Sequence, residues 1–238
     1  MSVAAVLNAE RIKLTTTRSP LWSAVAVAVL SLGLAAMQAS TVYGPLPLEP
    51  QKAAMGVAVF GVPVLMILST LTVTNEYRNG VIRTTFMAVP NRSMVLVAKA
   101  IVAGAFSSFY AAVMVVVSIV VADSDFDWRL VGAIALYAAL AAVLGVAVGA
   151  LLRASAGAVA LLLLWPLVAE PLLGNLPNIS TAVGPYLPFG NAFRSIDVQW
   201  LYPYYAMPWG QLGSIIYFAA VVAVVFVAAL VTVNRRDA

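Results

Sequence analysis

The sequence contains no cysteine and no histidine, and only 9% of its 238 residues are charged. Without cysteine it forms no disulfide and offers no thiolate to a metal. Without histidine it lacks the usual general base, the commonest metal ligand and the usual switch near neutral pH. Serine–histidine proteolysis and zinc proteolysis fall on the same ground. Long hydrophilic stretches are missing too, so no separate globular domain stands beside the apolar part. A soluble domain carries about 25% charged residues. Here 63% of residues are hydrophobic. A water-soluble fold of this length could not hide that much apolar surface, and lipid is the solvent that suits the composition.

A helix needs roughly 20 mostly apolar residues to cross a bilayer. Six runs qualify, at about 21–42, 55–74, 95–122, 130–152, 157–174 and 212–233. Ser19-Pro20 ahead of the first run reads as a cap followed by proline at the first helical position. Pro63 and Pro166 lie inside runs, where neighbouring helices can re-satisfy the freed carbonyls. The third run is long, and its start near Lys99 is expected to project into water.

Orientation follows from Lys and Arg. With a cytoplasmic N-terminus, Arg11, Lys13, Arg18, Arg78, Arg83, Arg92, Lys99, Arg153, Arg235 and Arg236 share the inner side. Only Lys52, Arg129 and Arg194 of the 13 basic residues are then outside. The positive-inside rule places both termini in the cytoplasm. Glu49, Asp123, Asp125, Asp127, Glu170 and Asp197 lie outside, and Glu10, Glu76 and Asp237 inside. The net charge of +4 therefore reflects orientation in a membrane, and nucleic acid is not the expected partner. A cleaved signal peptide, with Ala36-Met37-Gln38-Ala39 as its cleavage site, is the competing reading of the N-terminus. The unusually long basic region argues against it.

Three segments stand outside the runs. Residues Val3 to Thr17 are amphipathic: Val3, Val6, Leu7 and Leu14 follow helical spacing, with Glu10, Arg11 and Lys13 elsewhere. Together with Arg18 this pattern suits a helix lying in the cytoplasmic interface; the plain alternative is a solvated basic leader. The loop within 75–94 reads NEYRNGVIRTTFMAVPNRSM. Asn79-Gly80 should end the second span, Val81 to Met87 should form about two helical turns, and Val89-Pro90 should stop them. Asn91 or Ser93 can cap the third span. A short helix held between two long ones is suited to passing force to a soluble partner, or is merely a connector. The outer segment 175–211 holds Tyr186, Phe189, Phe193, Trp200, Tyr202, Tyr204, Tyr205 and Trp209. Phe189, Phe193, Ile196 and Trp200 recur at helical spacing, as short helices dipping into the outer leaflet would, although an anchoring belt explains the aromatics equally. Asn178-Ile179-Ser180 matches a glycosylation acceptor by chance more readily than by design.

Catalytic motifs are absent. A phosphate-binding Walker loop needs Gly-Lys-Ser or Gly-Lys-Thr, and none of Lys13, Lys52 and Lys99 follows a glycine. Intramembrane aspartyl proteolysis needs two buried aspartates, whereas Asp123, Asp125, Asp127 and Asp197 sit in outer loops. Glu170 is the one acid inside a run, and the following Pro171 suggests a rim position. Gly145-x-x-x-Gly149 reads as a helix-contact motif.

The stretch Ala9-Glu10-Arg11-Ile12-Lys13-Leu14-Thr15 through Arg18-Ser19-Pro20 resembles the connecting helix of ABC type-2 transport permeases. Glu76-Tyr77-Arg78-Asn79-Gly80-Val81-Ile82-Arg83-Thr84-Thr85, followed by Val89-Pro90 and Arg92, resembles their first coupling-helix region, particularly in actinobacterial members. The six-span layout, the tight turn at Arg153 and the long outer segment extend the likeness over essentially the whole chain. The resemblance implies an all-α membrane protein of six transmembrane helices, with an N-terminal interfacial helix and short outer re-entrant helices before the last span. It implies the permease subunit of an ATP-driven exporter in a bacterial plasma membrane, itself no enzyme and holding no cofactor or metal. Two separate ATPase subunits would bind ATP and Mg, and a second permease copy or a paralogue would complete the pathway. Glu76, Tyr77, Arg78, Asn79, Gly80, Arg83, Thr84 and Thr85 would contact the ATPase, with Arg153 and Ser155 as a second contact. Few charges in the spans favour a hydrophobic, lipid-like or drug-like substrate. A stand-alone secondary carrier and a non-transporting scaffold or accessory subunit are the rival expectations.

Overall fold

In an apolar solvent the backbone must satisfy its own N–H and C=O groups, which a helix does within one segment. The computed structural model of the chain, which describes residues 2–41, 47–177, 180–198 and 207–235, contains only helices among its regular elements. In chain order they are α1 (Val3–Thr16), α2 (Arg18–Ser40), α3 (Pro50–Arg78), α4 (Val81–Ala88), α5 (Arg92–Val121), α6 (Trp128–Leu152), α7 (Ser155–Asn175), α8 (Ser180–Val183), α9 (Pro188–Ser195) and α10 (Gln211–Arg235). Six of them, α2, α3, α5, α6, α7 and α10, are long and apolar enough to cross a membrane. Their 21 to 30 residues correspond to about 32 to 45 Å at a rise of ~1.5 Å per residue. The chain is thus a multi-pass helical membrane protein. One end of the bundle carries Arg18, Arg78, Arg92, Arg153 and Arg235, and is called the basic end below.

Several boundaries differ from the sequence reading for local reasons. Helix α3 begins at Pro50 rather than near Met55, with proline in its first turn where no N–H is needed. It runs on to Arg78, so Glu76 and Tyr77 belong to the helix and not to the loop. Thr17 occupies the cap position of α2, which places Ser19-Pro20 inside its first turn instead of ahead of it. The prolines within spans are absorbed by wide turns: Val57–Gly61 precedes Pro63, and Trp165–Ala169 contains Pro166 and precedes Pro171. Such a π turn relieves the clash between a proline ring and the preceding helical carbonyl. The expected end of the first span at Val42, the acceptor at Asn178-Ile179, the aromatics Trp200, Tyr202, Tyr204 and Tyr205, and the charges Arg236 and Asp237 lie outside the described residues.

Helices α3 and α6 form the centre. Their apolar windows are 72% and 61% buried, against 17–39% for the other four. Gly145 and Gly149 of α6 lie against Met66, Thr70 and Thr74 of α3. Thr70 Oγ1 donates across this seam, 2.9 Å from the Gly145 carbonyl and 3.0 Å from that of Met66. Helix α5 packs along α6, α10 against the same helix, and α7 against both central helices. Helix α2 meets the first turns of α3, where Gly56 lies under the Ser31 backbone. At the end away from the basic one, α9 inserts Phe189 and Phe193 among Tyr137 of α6 and Phe218 of α10, with ring centroids 5.4 to 6.0 Å apart. These two aromatics are core residues and not an anchoring belt. Phe189, Phe193 and Ile196 are buried together, as their spacing requires.

Candidate functional site

The basic end holds a closed group of four charges contributed by three helices. Glu10 comes from α1, Lys13 from one turn further along it, Glu76 from the last turn of α3, and Lys99 from α5. Lys99 Nζ donates to Glu10 Oε2 and Glu76 Oε1, both at 2.7 Å, and to the Thr72 carbonyl at 3.3 Å. Lys13 Nζ donates to Glu10 Oε1 and Glu76 Oε1, both at 2.8 Å. The two acids and two bases cancel, which is the condition for holding charges at this depth. The Lys99 side chain is 2% exposed, so its expected projection into water is corrected. Its four-carbon stem lies in the apolar run, and its head finds two carboxylates in place of solvent. Glu10 likewise leaves the polar face expected for it: Val6, Glu10 and Leu14 form the buried stripe of α1, and Val3 is exposed. Burial opposes the charge on Lys13, but hydrogen bonds and attraction from Glu10 and Glu76 outweigh it and hold its ammonium above the ordinary lysine value. Its contribution to stability is therefore complete through the neutral range and is lost only as pH rises through that elevated value.

Beside this group the chain turns sharply into α4. Asn79 ends α3, and Gly80 adopts the left-handed backbone (φ +70°) that starts α4. Helix α4 and its stop sit on α1 and α5 through Phe86 and Val89, which pack with Val6, Leu7, Met94 and Val95, while the buried Ile82 lies beside a small gap lined by Val73, Tyr77 and Leu96. Val89-Pro90 stops it, and the Asn91 side chain accepts from Met94 N at 3.0 Å to start α5. Arg92 stacks over Phe86 at 5.3 Å and donates to the Val233 carbonyl, at the C-terminal end of α10. The outward face of this unit carries Arg78, Asn79, Val81, Arg83, Thr84 and Met87, all exposed, Met87 by 75%. Thr85 is half-buried. Arg11 and Arg18 are exposed on the neighbouring helices.

The tight turn between α6 and α7 meets the same part of α3. Arg153 takes a left-handed backbone (φ 54°), uncommon for a side chain of this size. Its guanidinium lies 4.8 Å from the centre of the Tyr77 ring, a contact that helps to hold the conformation. Ser155 Oγ and Thr74 Oγ1 are 2.9 Å apart. Arg153 and Ser155 therefore engage the end of α3 from one side, while Lys13 and Lys99 engage it from the other.

A second buried polar group lies at the opposite end. Glu170, expected at the rim, is fully buried. Its carboxylate accepts from Phe189 N (2.9 Å), Gly190 N (3.0 Å) and Trp165 Nε1 (2.8 Å). It acts as a distant cap for α9, whose first N–H groups have no helical partner. Replacing Glu170 by alanine should leave those donors without their acceptor and cost about 1–3 kcal/mol. Faster hydrogen exchange across Phe189–Phe193, with α3 unchanged, is the expected readout.

No protein-family model matches this chain, and no curated protein matches it. Among the described residues no cluster of acids could hold a metal ion.

Proposed function

We propose that this chain is the membrane subunit of an ATP-driven exporter, and that α4 carries movement from a separate ATPase into the bundle. One observation supports this above the others. A short helix with an exposed apolar and basic face is fastened by its inner face to α1 and α5, and its neighbour α3 is the most buried helix of the bundle. An element built in this way cannot move alone. A push on Arg78, Val81, Arg83, Thr84 and Met87 reaches α3 through its covalent end at Asn79, and α1 and α5 through packing. Met87 is more exposed than a residue serving only as a connector requires. The basic end faces the cytoplasm in this reading, with α1 lying in the interface and α8 and α9 dipping into the outer leaflet. Tyr77, Arg153 and Ser155 form the inner support of the contact. A second copy or a paralogue supplies the other half of the pathway, and ATP and Mg are bound by the ATPase. The cargo is hydrophobic or amphiphilic.

The test is co-purification in detergent with a Walker-motif ATPase, sought first among the genes adjacent to this one. Arg78→Glu combined with Arg83→Glu reverses two charges on the exposed face and should abolish association while the helical melt stays unchanged. Undiminished co-purification of the double variant would remove α4 from the contact.

A further inference from the structure

A cavity of about 290 Å³ opens beside the four-charge group, between α1, the first turn of α2 and the facing parts of α3 and α5. That volume is at the lower end of small-molecule sites. Its walls divide by chemistry. Leu14, Pro20, Leu68, Leu71 and Val102 form an apolar side, and Thr17, Ser19, Asn75 and Asn79 form a polar rim near Lys13 and Glu76. Thr17, Ser19 and Asn79 are exposed, so the rim meets water where the apolar wall meets the bundle. Two features of the charged group remain unused. Glu76 Oε2 is buried without a hydrogen-bond partner. Lys13 Nζ makes two hydrogen bonds of a possible three, with a side chain still 42% exposed.

We infer that this cavity binds a membrane lipid whose headgroup carries both a primary ammonium and a phosphate, as in phosphatidylethanolamine. The ammonium donates to Glu76 Oε2, which turns toward the cavity to receive it, the phosphate accepts from Lys13 Nζ and the Ser19 hydroxyl, and the first part of an acyl chain lies along Leu68, Leu71 and Val102. The neutral balance of the four charges decides the class. A purely anionic or purely cationic head would leave one unused group facing its own sign, whereas a zwitterion answers both. A trimethylated ammonium has no N–H to donate and leaves Glu76 Oε2 unsatisfied. A buried acceptor of this kind is costly to leave unmade. The lipid would join α1 to α3 and α5, and the inference does not rest on the exporter reading.

The full chain is reconstituted in nanodiscs of equal parts phosphatidylethanolamine, phosphatidylcholine and phosphatidylglycerol, then released and weighed by native mass spectrometry. Phosphatidylethanolamine should be retained about tenfold over phosphatidylcholine, the factor that one charge-assisted hydrogen bond supplies. Stepwise N-methylation of the headgroup should lower retention in order. Leu71→Trp, which fills the cavity, should abolish the preference; Phe109→Trp, at a residue 72% exposed outside the cavity, should keep it. Equal retention of the ethanolamine and choline lipids would overturn the inference, as Glu76 Oε2 would then gain nothing from an ammonium N–H. Retention of phosphatidylglycerol equal to that of phosphatidylethanolamine would overturn it too, leaving a simple anion site at Lys13. Displacement by soluble phosphoethanolamine at the same concentration would remove the lipid from the assignment.

Discussion

Lys99→Met should destabilise the chain by about 3–5 kcal/mol, the cost of breaking a buried ion pair from one side. Methionine fits the stem, so packing changes little and the loss is electrostatic. Glu10 and Glu76 would then share one ammonium, Lys13, at a depth where a second carboxylate is held only by being paired. The first consequence is local. Helix α1 is held to α5 by Val6, which packs with Val95 and Ala98, and by the Glu10–Lys99 contact, so removal of that contact should free α1 before the bundle melts. Trypsin cleavage after Arg11 and Arg18 should accelerate well below the thermal transition of the remaining helices, followed by circular dichroism. Glu10→Gln combined with Lys99→Met should recover more than half of the loss, because one acid and one base then remain paired at Glu76 and Lys13. Such recovery marks coupling between the two positions and not two separate defects. A wild-type melt and wild-type proteolysis for Lys99→Met would mean that the four charges do not hold α1.

The spans were legible because lipid imposes one rule on composition and length, and six long apolar runs satisfy it. The break at Asn79-Gly80, the short helix after it and its stop at Val89-Pro90 were also legible, since each depends on backbone chemistry within two or three residues. The charged group was not. Glu10, Glu76 and Lys99 are 89 and 23 residues apart along the pairings they make, and no local pattern records a partner at that distance. The signal that could have found it was the lysine itself. A lone ammonium within an apolar run needs either water or two carboxylates, and the inner side offered only Glu10, Glu76 and Asp237. Glu170 was misread for a related reason. Its partners are main-chain N–H groups of Phe189 and Gly190, and main-chain donors leave no mark in a sequence.

The C-terminal end of α3 is where the four-charge group, the α6–α7 turn and the candidate contact face meet the same stiff element. Thr72, Thr74, Glu76 and Tyr77 occupy its last two turns and reach three neighbours: Thr72 meets α5, Glu76 meets α1 and α5, and Thr74 and Tyr77 meet the α6–α7 turn. An element tied on so many sides shifts only if its partners shift with it. In the exporter reading the two states would therefore differ in how these contacts are shared, since coupling requires contacts that change between global states.

The Gly145 seam tests how far that stiffness reaches. Gly145→Ala should cost about 3 kcal/mol and lower the melting temperature in detergent by about 6–12 °C for a chain of this size. A methyl group there would stand 2.3 Å from the Met66 carbonyl oxygen and 2.9 Å from Thr70 Oγ1. The first obstacle is backbone, so no rotamer change can relieve it, and α3 and α6 must separate. Gly149→Ala should cost less, as its methyl would lie 3.0 Å from the Thr70 carbonyl with side chains at 3.4 Å. Gly132→Ala, on the same helix with nothing within 4 Å, should be neutral or stabilise by up to ~1 kcal/mol through helix propensity. The order of these three melts separates close approach from propensity, because propensity alone would stabilise all of them. Separation at Gly145 should also break the Thr70 hydrogen bond across the seam and loosen α3 one turn before Thr74. The same variant should then accelerate hydrogen exchange in α4, although α4 begins 11 residues beyond Thr70 and lies on neither helix of the seam. Unchanged exchange in α4 would confine the glycine to packing and separate the centre of the bundle from the face proposed to meet the ATPase.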